Sequence, residues 1–231
     1  LDKFFKNIKY VFHLAGLADI VPSIENPDKY FQSNVVGTLN IIRAAQKANV
    51  KKLIYAASAS CYGIPKKYPI KENAKIETKY PYALTKWQAE ELIMHWVNVY
   101  DLPAISIRFF NQTRDFIHVY DLVDCLLKAA KSKKIGEIYN IGSGTEVKVN
   151  TIAKLIGGKK INIPKRPGEP NRSLADIKKI KKDLKWSPKI TIKEGIKNLL
   201  KQIQYWNDAP VWTPKSIKKE TKVWFKTLKK N

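Results

Sequence analysis

An α/β fold is predicted, a parallel sheet flanked by helices and followed by a smaller α/β lobe, and three observations predict it. Strand-length apolar runs alternate with segments of helical period from Lys9 to Phe110. That alternation builds parallel sheets covered by helices. The middle run, Lys52 to Ala57, is apolar enough for a buried strand. After residue 112 the elements shorten, and a Pro/Gly turn region from Pro164 to Pro170 divides them.

Lys9 to Leu14 reads as the first strand. Ser33 to Ala48 reads as an amphipathic helix, because Val36, Leu39, Ile42 and Ala45 fall on one face. The strand Lys52 to Ala57 ends in small residues, and a loop with Gly63, Pro65 and Pro69 follows. The next helix opens at Pro81, since proline suits a first helical turn, and runs from Tyr82 to Val99. Ala104 to Phe110 is a strand. Beyond it come a helix near Asp121 to Ala130, a strand near Ile138 to Ile141 and a helix near Asn150 to Ile156, closed by Gly157-Gly158. Helices near Asp176 to Leu184 and Lys193 to Trp206 complete the order. In the tail, Ala209 to Asn231, packing is the default role of Trp212, Trp224 and Phe225.

Composition bounds the function. With 231 residues and 44% hydrophobic content the chain buries a substantial core. No run of 18 apolar residues occurs, so no membrane partner is expected. Cys61 and Cys125 form neither a disulfide framework nor a metal-ligand spacing, which suits a reducing cytoplasm. The net charge of +23 raises nucleic-acid binding. Only five of the 43 basic residues are Arg, however, and the lysines scatter at helix-surface spacing. Base readout leans on Arg, so no nucleic-acid partner is expected.

The chemistry centres on Tyr82-Ala-Leu-Thr-Lys86, 24 residues after Ser58. Four residues is a little over one turn, so Tyr82 and Lys86 share a helix face. An ammonium beside a phenol favours the phenolate and moves its pKa from about 10 toward neutrality. A serine at the end of a buried strand bridges that phenolate to a substrate hydroxyl. Such a site takes a proton from an alcohol while a cofactor takes the hydride. His13 and His118, set in apolar strings, read as supporting histidines. Asp115 is expected to orient Arg114, or else to pair at the surface.

Ser58, Tyr82 and Lys86 resemble the catalytic triad of the extended short-chain dehydrogenase/reductases, closest to nucleotide-sugar 4-epimerases of the UDP-glucose 4-epimerase type. Val11-Phe-His-Leu-Ala-Gly-Leu17, Asn34-Val-Val-Gly-Thr38, Arg108-Phe-Phe-Asn111, Arg114-Asp-Phe-Ile-His-Val-Tyr-Asp121 and Arg166-Pro-Gly-Glu169 match further family blocks in order. The resemblance implies a Rossmann-like sheet and NAD as the cofactor. Leu14, Ala15, Gly16, Leu17, Asn34, Ala56, Tyr82, Lys86, Phe109 and Phe110 would meet that cofactor. It further implies that Ser58, Ser60, Asn111, Arg114, Arg166 and Glu169 contact a nucleotide sugar, with a UDP-sugar the expected substrate. Residues 1–111 would form a partial NAD-binding domain. Residues 112–231 would form mainly the substrate lobe, with Asp115 to Ile141 returning to the sheet. The family's helix pairing implies a homodimer through 33–48 and 82–100, with Ile41, Ile93, Trp96 and Val97 pointing outward.

Two departures accompany the match. No Gly-x-x-Gly-x-x-Gly occurs, and only two residues separate Asn111 from Arg114 where the family has a long segment. A gapped remnant of a longer protein is therefore expected, with backbone breaks before Leu1 and near Asn111 to Thr113.

The residues after Ser58 set the reaction type. Dehydratases of the family carry an Asp-Glu pair there; Ala59 and Ser60 cannot serve as acid and base for elimination. What remains is reversible oxidation at one carbon; the resemblance implies that this is C4, with hydride return to the other face. Other dehydratases or reductases of the family, an inactive relative and a basic nucleic-acid binder are the competing readings. Tightly bound NAD separates the enzyme from the last two.

Overall fold

The computed structural model describes residues 1–110, 115–158, 160–162, 170 and 172–228. Asn111, Arg114, Arg166 and Glu169, with the junction where a backbone break is expected, lie outside the described residues.

Four parallel strands form one sheet in chain order: β1 (Tyr10–His13), β2 (Lys52–Ser58), β3 (Ala104–Phe109) and β4 (Glu137–Ile141). Their register sets Ser58 beside Phe109, and Phe109 beside Ile141. Every residue of β2 is buried, which is why its sequence is a continuous apolar run. Successive side chains leave a strand on opposite faces. Leu53, Tyr55, Ala57 and Ala104 therefore pack beneath α4 (Gly37–Lys47) and α5 (Pro81–Tyr100). Ile54, Ile105, Ile107, Tyr139 and Ile141 pack against α6 (Val119–Lys131) and α8 (Lys178–Leu184). The predicted parallel α/β architecture is the one observed.

Boundaries differ where local chemistry was not legible. The helix expected from Ser33 begins earlier, at α3 (Pro27–Phe31), and passes through one π-helical turn, Gln32–Val36, before α4. Pro27 starts α3, as proline does at a first turn. A single 3-10 turn, Ala59–Tyr62, follows β2, with the Ser58 hydroxyl accepting from the Ser60 amide. Short helices also form at α1 (Asp2–Phe5) and α2 (Ile20–Glu25).

The outer lobe carries α7 (Val149–Ile156) and α9 (Ile192–Lys201), the latter opened by a capping box of Thr191 and Glu194. Trp186 is fully buried and its Nε1 donates to the Asp121 carbonyl at 3.1 Å, anchoring this lobe to the start of α6. The tail forms α10 (Pro214–Glu220) and α11 (Lys222–Leu228). Ile93, expected to point outward, is fully buried between α5 and the sheet; Ile41, Trp96 and Val97 are half-buried at the edge of the same cluster. The reason is that α5 lies across the sheet and buries a wider face than an edge helix does. No helix among the described residues is long and apolar enough to cross a membrane.

Candidate functional site

The C-terminal end of β2 meets the start of α5, and the loop after β1 approaches the same turns of that helix, as ligand sites in open parallel sheets do. β2 delivers Ser58, and α5 delivers Tyr82 and Lys86 on one face. Ser58 lies close enough to Tyr82 to favour its ionised form, and its hydroxyl shares a 2.8 Å contact with the Ser60 hydroxyl. Lys86 is 7% exposed, with its ammonium 4.4 Å from the centre of the Tyr55 ring.

The electrostatics differ from expectation in one respect. Burial pushes the Tyr82 pKa up; Ser58 opposes this, and Asp19 adds to it. The expected lowering by Lys86 is not among the influences on Tyr82: the ammonium sits over the Tyr55 ring, and burial sets the direction. Burial also lowers Lys86 to about 8, with Glu90 pulling the other way, so the ammonium is retained at neutral pH.

The loop after β1 is built from a second set of hydrogen bonds. Asn34, in the π-helical turn, accepts from the Leu17 amide at 2.7 Å. Its Nδ2 donates to the Leu17 carbonyl at 3.0 Å and to Thr85 Oγ1 at 3.1 Å. Thr85 in turn donates to the Tyr82 carbonyl. Asn34 therefore ties the loop to α5 between Tyr82 and Lys86. His13 bonds Thr38 at 2.8 Å, and burial lowers its pKa to about 4, with Lys86 adding to the fall.

This loop fits the nicotinamide end of a dinucleotide. Gly16 is exposed at φ 158, and a Cβ there would meet Asn34 Oδ1 at 3.0 Å and stand 3.8 Å from the Lys86 ammonium. The bare backbone thus lets a ligand approach the ammonium closely. Leu14, Ala15 and Gly16 are exposed at this rim, Leu17 is half-buried, and Ala56 is buried beneath it. Phe109 is half-buried at the end of β3, whereas Phe110 turns into the core against Tyr62, ring centres 6.0 Å apart.

Sequence reasoning missed the charge network beneath the site. Glu90, 1% exposed, is paired with Arg108 of β3: the Arg108 Nε donates to Oε1 at 3.0 Å and Oε2 at 3.1 Å. Ser106 donates to the same carboxylate at 2.5 Å. Arg108 Nη1 reaches the Tyr62 hydroxyl at 2.7 Å and the Glu72 carbonyl at 3.0 Å, and Tyr62 donates to Asn140 at 2.8 Å. One guanidinium therefore joins β3, α5 and the turn after Ser58. Two signals were present: Glu90 extends the Tyr82–Lys86 face by four residues, and Arg108 is a lone charge in an apolar strand.

Asp115 is buried and accepts from the Ser143 amide and hydroxyl and from the Ala175 amide at 2.9 Å. It organises two turns rather than pairing at the surface. His118 caps α6, its Nδ1 accepting from the Tyr120 amide. Two cavities differ in position. A small one, about 20 Å³, lies among Ser60, Tyr62, Tyr80, Phe110 and Arg172. A groove of about 610 Å³ between α6, α7 and α9 is larger but does not touch Ser58, Tyr82 or Lys86. Neither cavity is lined by Ser58, Tyr82 or Lys86; the smaller one borders them through Ser60 and Tyr80.

Comparison with known proteins places the chain. Residues 1–112 match the NAD dependent epimerase/dehydratase family, and residues 110–199 match the GDP-mannose 4,6 dehydratase family. A putative UDP-glucose 4-epimerase of Methanocaldococcus jannaschii is 32% identical, over 85% of this chain and 77% of that protein. A bifunctional UDP-glucose 4-epimerase and UDP-xylose 4-epimerase of Pisum sativum is 30% identical, over 84% and 73%. Among solved structures, a UDP-glucose 4-epimerase from Stenotrophomonas maltophila with bound NAD and formylated UDP-arabinopyranose superposes with a TM-score of 0.83. It is 21% identical over 90% of this chain and 80% of that one.

Proposed function

Because the chain belongs to the NAD-dependent epimerase/dehydratase family, we propose that it is a nucleotide-sugar 4-epimerase acting on UDP-glucose and UDP-galactose or their N-acetylated analogues. The observation that carries this reading is the placement of Ser58 at the end of β2 next to Tyr82 and the buried Lys86 on the first turns of α5, with Ala59 and Ser60 where elimination would need an acid and a base.

Tyr82, ionised, takes the proton of the C4 hydroxyl, and Ser58 bridges the two oxygens. Lys86 supplies the positive charge that a buried phenolate lacks in solvent. Leu14 to Leu17, Asn34, Ala56, Lys86 and Phe109 would line the nicotinamide end, Asn34 acting through the loop it holds, while Phe110, turned into the core, would not. NAD, when bound, supplies the acceptor for the C4 hydrogen and a cationic ring that draws the Tyr82 pKa down. Ser60 lies within bonding reach of Ser58 and faces the small cavity, where it would meet the sugar. Asn111, Arg114, Arg166 and Glu169 complete the substrate contacts in this proposal. Residues 1–111 would serve the cofactor and 112–231 mainly the nucleotide sugar, with Asp115 to Ile141 in the sheet.

A homodimer through α4 and α5 belongs to the same reading, supported by the exposed Val99 and Tyr100 beside half-buried Trp96. A monomer mass in light scattering at micromolar concentration would count against it. Work in a reducing cytoplasm is supported by the free, buried Cys61 and Cys125.

Tyr82→Phe is expected to lower epimerisation of UDP-glucose or UDP-GlcNAc by at least about a hundredfold, the low end for positioned acid–base catalysis. Near-normal turnover by that variant ends the assignment. NAD co-purifying with the wild-type protein is the second expected result.

A further inference from the structure

The basic, aromatic C-terminal tail ends beside the candidate site. Beyond α9 it runs through the exposed Tyr205, Val211 and Trp212, then turns into α10 at a capping box of Thr213 and Ser216. It ends in α11, whose Trp224 is 3% exposed and whose Leu228 is also buried. These side chains pack on Tyr80 and Ala83 at the start of α5 and on Ile20, Val21 and Ile24 of α2, with Tyr82 on the edge of the cluster.

Alone, α2 does not hold that position. Six residues is well short of a helix that stands by itself, and it contains Pro22. Its N-cap, Asp19, sits at φ 77 and accepts no capping bond on its side chain among the described residues. Yet α2 starts where the loop Leu14–Asp19 ends, and Asp19 is close enough to influence the charge of Tyr82. Tyr30 donates to the Ala18 carbonyl and presents its edge to Tyr82, ring centres 6.5 Å apart. Tyr80 stacks on Tyr82 from the other side at 6.4 Å. Whatever fixes α2 against α5 therefore also fixes the loop and the depth at which Tyr82 is buried.

We propose that α11 is a clasp on the candidate site. Trp224 and Leu228 are positioning residues: they hold α2 to the first turn of α5 and thereby set the placement of Tyr82 and of the Leu14–Asp19 loop. The kinetic consequence rests on the epimerase reading; the structural one does not.

The test is Trp224→Ala in the full chain, with Leu228→Ala as the milder variant should the first not fold. Ultraviolet titration against Tyr82→Phe, in each background, isolates the Tyr82 tyrosinate. With its cover loosened, Tyr82 is expected to ionise at a lower pH, since burial is what raises it. Amide exchange in residues 14–19 is expected to accelerate about tenfold as local opening becomes easier, while β2 and β3 are unchanged. On UDP-glucose, kcat falls about tenfold with KM within about twofold, because alignment rather than binding is lost. A lowered melting temperature with unchanged Tyr82 titration and unchanged loop exchange would overturn the clasp and leave α11 a surface cover. A shifted titration in a chain whose wild type does not epimerise would keep the clasp and defeat the epimerase reading.

Discussion

Between β3 and α5 a charged pair lies bonded in the core, whereas between α7 and α9 apolar side chains line an open groove of about 610 Å³. α5 buries Ala83, Thr85, Lys86, Ala89, Glu90 and Ile93; α7 buries none of its residues. Acid–base chemistry needs donors and acceptors fixed to a fraction of an ångström, and a buried, paired network supplies that. The outer lobe carries no such constraint, and its apolar faces Val149, Ile156 and Leu199 are left accessible. Within one chain, the buried Arg108–Glu90 pair lies beneath the candidate chemistry.

The contrast is broken most forcefully at Arg108. Arg108→Met leaves Glu90 as an uncompensated buried charge, so a loss of about 3–5 kcal/mol in urea unfolding is expected. A loss under about 1 kcal/mol would mean that the network is not what stiffens the site.

A smaller effect is expected from His13. Its folded pKa, about 4, lies below the ordinary 6.5, so its contribution to stability is complete above pH 6.5 and is lost as pH falls toward 4. At about 1.4 kcal/mol per unit this reaches at most about 3 kcal/mol. His13→Gln should flatten that part of the pH–stability curve, measured by urea midpoints at pH 7, 5.5 and 4.5.

Lys86 sharpens the comparison, because its two effects have opposite signs. Its pKa is lowered to about 8, so raising pH through 8 removes a costly buried charge and adds stability up to the unfolded value. Epimerisation, which in the proposed mechanism needs the ammonium, should fall about tenfold per pH unit over the same range. Activity and stability rising together above pH 8 would remove Lys86 from the site.

The least effect is expected in the outer lobe. Ile156→Lys changes an exposed side chain on a helix with no buried residue, and should alter stability by less than about 0.5 kcal/mol. A large loss would show that the groove is packed in solution.

Period and punctuation made the sheet legible. The run ending at Ser58, Pro81 at the start of α5 and the Tyr82–Lys86 spacing are local signals, and they set strand, helix and shared face. The candidate site was legible to the same extent: its residues were nameable, but their surroundings were not. The π-helical turn at Asn34 and α2, α10 and α11 escaped because short elements take their stability from partners distant in sequence.

By itself, then, the sequence determined the fold class and the family membership, since both rest on patterns a few residues long. Tertiary structure alone decided that Ile93 is core, that Arg108 pairs with Glu90, that burial raises Tyr82, and that Trp224 comes to rest beside it. Each of these depends on which surfaces meet across the fold, and desolvation, the force behind all four, has no value until they do.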